Sequence, residues 1–173
     1  VNRVRVSVQV QNLQPHAKGA TFDLVTTLDD QLGSLWEAES RMLCRGVKLE
    51  GDPVEQVLAS TLPLSEVAHW KAPADIGRQY AKVSGDYNPI HLSAVSAKLF
   101  GFPSAIAHGL WNKARTLAAL ADHLSTANLE ITVQFQKPVR LPSEVTLLAS
   151  AAGSSGDLRL IGAGELEHMI GHW

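Results

Sequence analysis

Cysteine is nearly absent: Cys44 is the single one in 173 residues. An internal disulfide is therefore excluded, and a reducing, cytoplasmic setting is the expectation. Cys44 lies in an apolar stretch and reads as a small core residue. No apolar run approaches the ~20 residues that a membrane-crossing helix needs, so a membrane is not an expected partner. There is no stripe of basic residues either. Fifteen Lys and Arg stand against 17 Asp and Glu, for a formal net charge of -2. That balance argues against nucleic acid as the main partner. What is present is apolar mass: 45% of the residues are hydrophobic, enough for one core of ordinary size or two small ones.

The opening alternates strictly, with Val4, Val6, Val8 and Val10 set against Arg5, Ser7 and Gln9. That period of two predicts a half-buried strand. After a loop with Pro15 and Gly19, Phe22, Leu24 and Val25 predict a second strand ending at Asp29-Asp30. Beyond Gly33, a third strand places Trp36, Ala38, Ser40, Met42 and Cys44 on one side. Residues 1–45 thus read as three strands and no helix. Residues 46–63 carry Gly46, Gly51, Asp52, Pro53 and Pro63 and read as a connector.

Residues 64–173 read differently. Ile76, Tyr80 and Val83 recur at helical spacing after Pro73. A loop follows, because Gly85 and Asn88-Pro89 break helix and Pro89 biases Asn88 away from the α region. Ser93 is placed to cap a short helix that stops near Gly101. A longer helix begins near Gly109, with an expected buried stripe of Leu110, Ala114, Leu117, Ala118, Ala121 and Leu124. Three strands are expected to close the chain: Leu129–Phe135, Val145–Ala149, and a stretch from Leu158 towards His172.

The segment Val4–Gln11 matches Leu129–Gln136 in pattern and partly in identity. Both are followed by a proline-bearing loop and two further strands, which reads as a repeat.

Asp86 and His91 put a carboxylate and an imidazole five residues apart across a loop shaped by glycine and proline. Around a tight turn the two can converge on one small space, bind a water, take its proton and return it. Histidine suits this because its unperturbed pKa lies near neutrality. Downstream, Ala107-His108-Gly109 opens a helix whose free amides and dipole can hold a developing negative oxygen. Acid/base pair and oxyanion site together suit addition or loss of water next to a thioester.

The run Tyr80-Ala81-Lys82-Val83-Ser84-Gly85-Asp86-Tyr87-Asn88-Pro89-Ile90-His91 resembles the signature of the MaoC-like, (R)-specific enoyl-CoA hydratase family. Phe100-Gly101-Phe102-Pro103 and Ile106-Ala107-His108-Gly109-Leu110 resemble its second block. The resemblance implies an α+β hot-dog fold, an antiparallel sheet wrapped around one long helix. It implies Asp86 and His91 as the catalytic pair, the Gly109 amide as oxyanion donor, and Ser84 and Asn88 as supports of the loop. It also implies CoA or acyl-carrier thioesters as substrates, with no metal and no redox cofactor. Some members carry two hot dogs in one chain. Residues 1–45 then resemble the last strands of a first hot dog, and residues 64–173 a complete MaoC-like one. The first residue is Val1, and the expectation is a natural chain that is longer at its N-terminus. Exposed sheet edges make a homo-oligomer the expected assembly.

Other readings weigh less. His168 and His172, four residues apart, sit in a stretch that reads as a strand, so a metal pair is not expected. His108 reads as a structural residue at a helix start. Lys137 and Arg140 are as readily surface charges as contacts to a phosphate. An acyl thioesterase would want a carboxylate on the central helix, where only Asp122, near the far end, is available. A non-catalytic acyl-CoA-binding module would tolerate a degraded motif, whereas here both Asp86 and His91 are present.

Overall fold

The computed structural model describes residues 3–53, 58–124 and 129–173. The chain divides into two compact units, Val1–Gln56 and Val57–Trp173. The part of the expected connector at 54–57 lies outside the described residues.

The first unit contains β1 (Arg5–His16), β2 (Gly19–Asp30) and β3 (Gly33–Arg45) in an antiparallel sheet of that order. The alternation in the sequence marks these strands, and the register places Val6, Val8 and Val10 opposite Leu28, Thr26 and Leu24. Their burial does not follow: Val6, Val8 and Val10 are 60%, 60% and 65% exposed. Burial of one sheet face needs a second layer, and the described part of this unit contains one sheet and no helix. Cys44, expected in a core, is exposed at the end of β3 for the same reason. On the opposite face Asp23 is fully buried under Arg41 and Asn12. It accepts hydrogen bonds from Arg41 Nε at 2.7 Å and Nη2 at 2.8 Å, and from Asn12 Nδ2 at 2.9 Å. These bonds, Arg41's first, hold the Asp23 carboxyl down at about 2.

The second unit is α+β. It runs β4 (Ser65–Ala72), α1 (Ile76–Ser84), α2 (Pro89–Leu92), α3 (Ala94–Leu99), α4 (Gly109–Ala119), β5 (Thr132–Phe135), β6 (Ser143–Ala149), β7 (Asp157–Ile161) and β8 (Glu167–His172). The five strands form an antiparallel sheet in the order β4-β6-β7-β8-β5. Its core holds Trp70, Ala72, Val145, Leu147, Leu158, Leu160 and Met169, with Leu120 from just beyond α4. Trp111 and Ala119 of α4 pack against that cluster.

Four sequence expectations change here. A strand at Ser65–Ala72 went unread. The stretch from Leu158 to His172 is two strands, separated by a 3-10 turn in which Gly164 takes φ 66°, a conformation natural to glycine. The buried face of α4 is not the expected stripe: Leu110 is 63% exposed, whereas Asn112, Thr116 and the following Leu120 are buried. In α1 the buried residues are Gly77 and Ala81, and Val83 faces outward.

The match of Val4–Gln11 with Leu129–Gln136 is also not one of equivalent strands. β1 pairs with its successor β2, whereas β5 pairs with the final strand β8. By pairing, the meander β1-β2-β3 corresponds to β6-β7-β8.

Candidate active site

The loop after α1 is built by a relay of bonds that skips one residue at each step. Gly85 ends the helix at φ 75°, its amide donating to the Ala81 carbonyl, a helix end that favours glycine. Ser84 Oγ donates to the Tyr80 carbonyl and accepts from the Asp86 amide at 3.2 Å. Asp86 Oδ1 accepts from the Asn88 amide at 3.1 Å, and Asn88 Oδ1 accepts from the Ile90 amide at 3.3 Å. Polar side chains at every second residue thus replace the backbone bonds that a helix would have made. Asn88 takes φ -55°, ψ 126°, outside the α region as Pro89 requires, and caps α2. The structure therefore converts the second half of the expected loop into a short helix, and His91 sits on it.

His91 is held from several sides. Gly77 of α1 lies directly against its main-chain carbonyl, so closely that a Cβ would overlap that oxygen. Arg78 Nη1 donates to the Leu92 carbonyl at 2.9 Å. The Ile106 amide donates to the Ile90 carbonyl at 3.1 Å. The ring is buried, and its Nδ1 lies 2.8 Å from the Ile106 carbonyl oxygen. A carbonyl only accepts, so Nδ1 carries the proton and Nε2 of the neutral ring keeps its lone pair. Ile106 is itself fixed, because Ala105–Ala107 runs beside Val139–Leu141.

Burial, helped by the neighbouring His108, pushes the His91 imidazole below its ordinary value of 6.5; the Ile106 bond and Asp86 oppose this. Near neutral pH the ring is therefore a free base.

Asp86 stays half exposed, with its side chain 53% accessible. A carboxylate oxygen of Asp86 and one ring nitrogen each of His91 and His108 all lie within 4.8 Å of one another. The loop thus brings Asp86 and His91 together and adds a third group that sequence reasoning had set aside. His108 is buried at the start of α4. Its Nε2 is 3.0 Å from the Asp86 carbonyl oxygen and 3.6 Å from Asp86 Oδ2. Its ring stacks on His91, with centroids 3.7 Å apart and planes 24° apart, and the Tyr80 ring lies tilted 5.0 Å from it. The sequence signal was its place next to Gly109; a single histidine there does not reveal what it stacks on.

These three residues could also be read as metal ligands. One nitrogen of each ring, however, is already engaged by a main-chain carbonyl, His91 Nδ1 by that of Ile106 and His108 Nε2 by that of Asp86. His168, weighed with His172 from its spacing, is buried in β8 with Nδ1 3.0 Å from the Lys137 carbonyl oxygen.

Gly109 is the first residue of α4, so its amide has no partner within the helix. The space beside its Cα is closed by Phe135 of β5: a Cβ there would lie 3.1 Å from the ring. Lys137 and the Arg140 side chain are exposed nearby in sequence. Among the described residues, no helix is long and apolar enough to cross a membrane.

An antiparallel sheet packed on one helix, with a carboxylate and imidazole meeting at that helix's N-terminus, agrees with the family match. Residues 49–165 match the MaoC like domain, and the chain belongs to that family. It is 36% identical over 159 residues to 3-hydroxyacyl-thioester dehydratase X of Mycobacterium tuberculosis, covering 91% of this chain and 56% of that protein. A crystal structure of HtdX from the same organism superposes with a TM-score of 0.73 at 30% identity, covering 98% of this chain and 65% of that one. A MaoC-like dehydratase from Phytophthora capsici shares the fold, with a TM-score of 0.75 at 20% identity and coverage of 98% of this chain and 63% of that one. The chain therefore spans between about half and two thirds of the length of these relatives.

Proposed function

We propose that this chain carries the catalytic site of a hydro-lyase that interconverts trans-2-enoyl thioesters and (3R)-hydroxyacyl thioesters. The observation that carries this is the convergence of a half-exposed Asp86 carboxylate and a buried His91, its Nε2 lone pair left free, at the N-terminus of α4. In the hydration direction a water held by the pair adds its oxygen to C3 of the enoyl group. Electrons move onto the thioester carbonyl oxygen, and the first amide of α4, that of Gly109, stabilises the charge. A proton returned by the pair to C2 completes the addition, so one water enters and nothing leaves. Dehydration is the reverse. A pair of this kind contributes about 10²- to 10⁴-fold to the rate.

Family membership and the relationship to a 3-hydroxyacyl-thioester dehydratase support this reading. We take acyl-CoA or acyl-carrier thioesters as substrates, with no metal or redox cofactor needed for the steps above. A homo-oligomer in the cytoplasm is the setting we expect. A thioesterase is less well supported, because α4 itself (Gly109–Ala119) contains no acidic residue. The test is consumption of a trans-2-enoyl-CoA by the purified full-length protein. Hydration without release of free thiol is the expected result. Thiol release, or binding without turnover, would overturn the reading.

A further inference from the structure

His108 is a buried titratable residue that the proposed mechanism does not use. Its side chain is only 3% exposed, and it touches both members of the pair in different ways. Through one edge, Nε2 reaches the main-chain carbonyl of Asp86 at 3.0 Å. That oxygen only accepts, so the Nε2 proton is directed there. Two other polar groups of Asp86 have their own anchors, the amide on Ser84 Oγ and Oδ1 on the Asn88 amide. His108 anchors the carbonyl, and the same Nε2 lies 3.6 Å from Oδ2. Through its face, the same ring covers that of His91 at 3.7 Å.

A residue serving only to fill space would have no use for this chemistry. His108 Nδ1 is buried without a hydrogen-bond partner among the described residues. Leaving such a group unsatisfied costs stability. A phenylalanine would fill the same volume without that cost, but could not hold the Asp86 carbonyl. A glutamine could hold the carbonyl, but offers no ring for His91 to lie against.

We propose that His108 is a positioning residue that locks Asp86 and His91 to each other, by a hydrogen bond to the first and a ring stack on the second. This rests on the hydro-lyase reading for its kinetic consequence, though not for its structural one. It acts through the pair rather than on substrate, so its loss lowers turnover and leaves substrate binding in place.

Two variants separate the two contacts: His108→Gln keeps a donor and loses the ring, and His108→Phe keeps the ring and loses the donor. Each is expected to lower kcat at least tenfold and up to about 10²-fold, the scale of a misplacement near 1 Å, with KM changed less than about threefold on the same reasoning. Nitrogen-resolved NMR of the His91 ring gives a readout independent of turnover. The titratable groups near that ring are Asp86 and His108, and Tyr80 lies 5.0 Å from His108. In His108→Phe the His91 titration is expected to move to higher pH, because the lowering influence of His108 on it is lost.

Wild-type kcat together with an unmoved His91 titration in both variants would overturn the proposal. Loss of the fold in both variants would also overturn it, by making His108 a core-packing residue. If the wild-type protein hydrates no enoyl thioester, the hydro-lyase reading fails by itself. Crystal structures of the two variants then decide the positioning role alone: displacement of Asp86 relative to His91 supports it, and an unmoved pair overturns it.

Discussion

Gly77 in α1 faces the main-chain carbonyl of His91 with no room for a side chain between them. That contact fixes how closely α2, which carries His91, approaches α1, which leads into Asp86. Gly77→Ala must push α2 away, since the obstructing atom is backbone and not the tip of a flexible side chain. A shift near 1 Å at a catalytic group costs about 10²-fold in rate. The expected outcome is a fall in kcat/KM on that scale with a modest loss of thermal stability. Steady-state kinetics beside a melting curve would check it, and an unchanged kcat/KM would show that α2 is not held this way.

The His91 imidazole is pushed below 6.5 by its burial. Its base form is therefore already present at neutral pH and is lost only as the pH falls below the ordinary histidine range. The acidic limb of kcat/KM is expected to lie below pH 6.5. Folding shows the same sign: the unfolded chain takes up a proton that the folded one resists, so stability falls as pH drops through that window. A limb above 6.5 would contradict the burial argument.

Asp23 gives an independent pH prediction for the first unit. Arg41 and Asn12 hold its carboxyl at about 2, against 3.8 ordinarily. Its folded value is depressed, so its contribution is fully present above the unfolded value and is lost as pH falls through about 2. Asp23→Asn should destabilise the β1-β2-β3 sheet at neutral pH, and the difference from wild type should shrink on acidification across that interval. Acid titrations followed by circular dichroism would show it; a difference independent of pH would point to packing instead.

Thr116 in α4 is buried, with its hydroxyl lacking a partner among the described residues. Thr116→Val keeps the shape and removes the unpaired group. Removing an unsatisfied buried hydroxyl is worth about 1 kcal/mol or slightly more, so the melting temperature should rise. A fall would mean that the hydroxyl has a partner, such as an ordered water.

Much of the fold was readable because strands and helices announce themselves by period and by punctuation. The alternation of β1 to β3, Ser93 as a cap, and Gly85 and Gly109 at helix boundaries all had local signals. β4 was missed because its inward residues are Ala68, Trp70 and Ala72, and alanine carries little strand preference. The face of α4 is not legible from its hydrophobic stripe, because Asn112 and Thr116 are the residues it buries. The exposure of Val6, Val8 and Val10 shows the same limit from the other side: period reports strand, but burial depends on what lies across from it. In the site, Asp86 and His91 were legible as a spacing around a turn. His108 was not, because its stacking on His91 joins α2 to the start of α4, two segments separated by α3 and an irregular stretch.

The central claim is that Asp86 and His91 act as one unit on an enoyl thioester. The most direct test follows the absorbance of a trans-2-enoyl-CoA with purified full-length protein, wild type against Asp86→Asn, His91→Ala and the double variant. The account predicts loss of absorbance with wild type and a fall of at least about 10²-fold in each single variant. The double variant should be little worse than the worse single one, as for residues that act together. Retention of wild-type hydration by either single variant would contradict it.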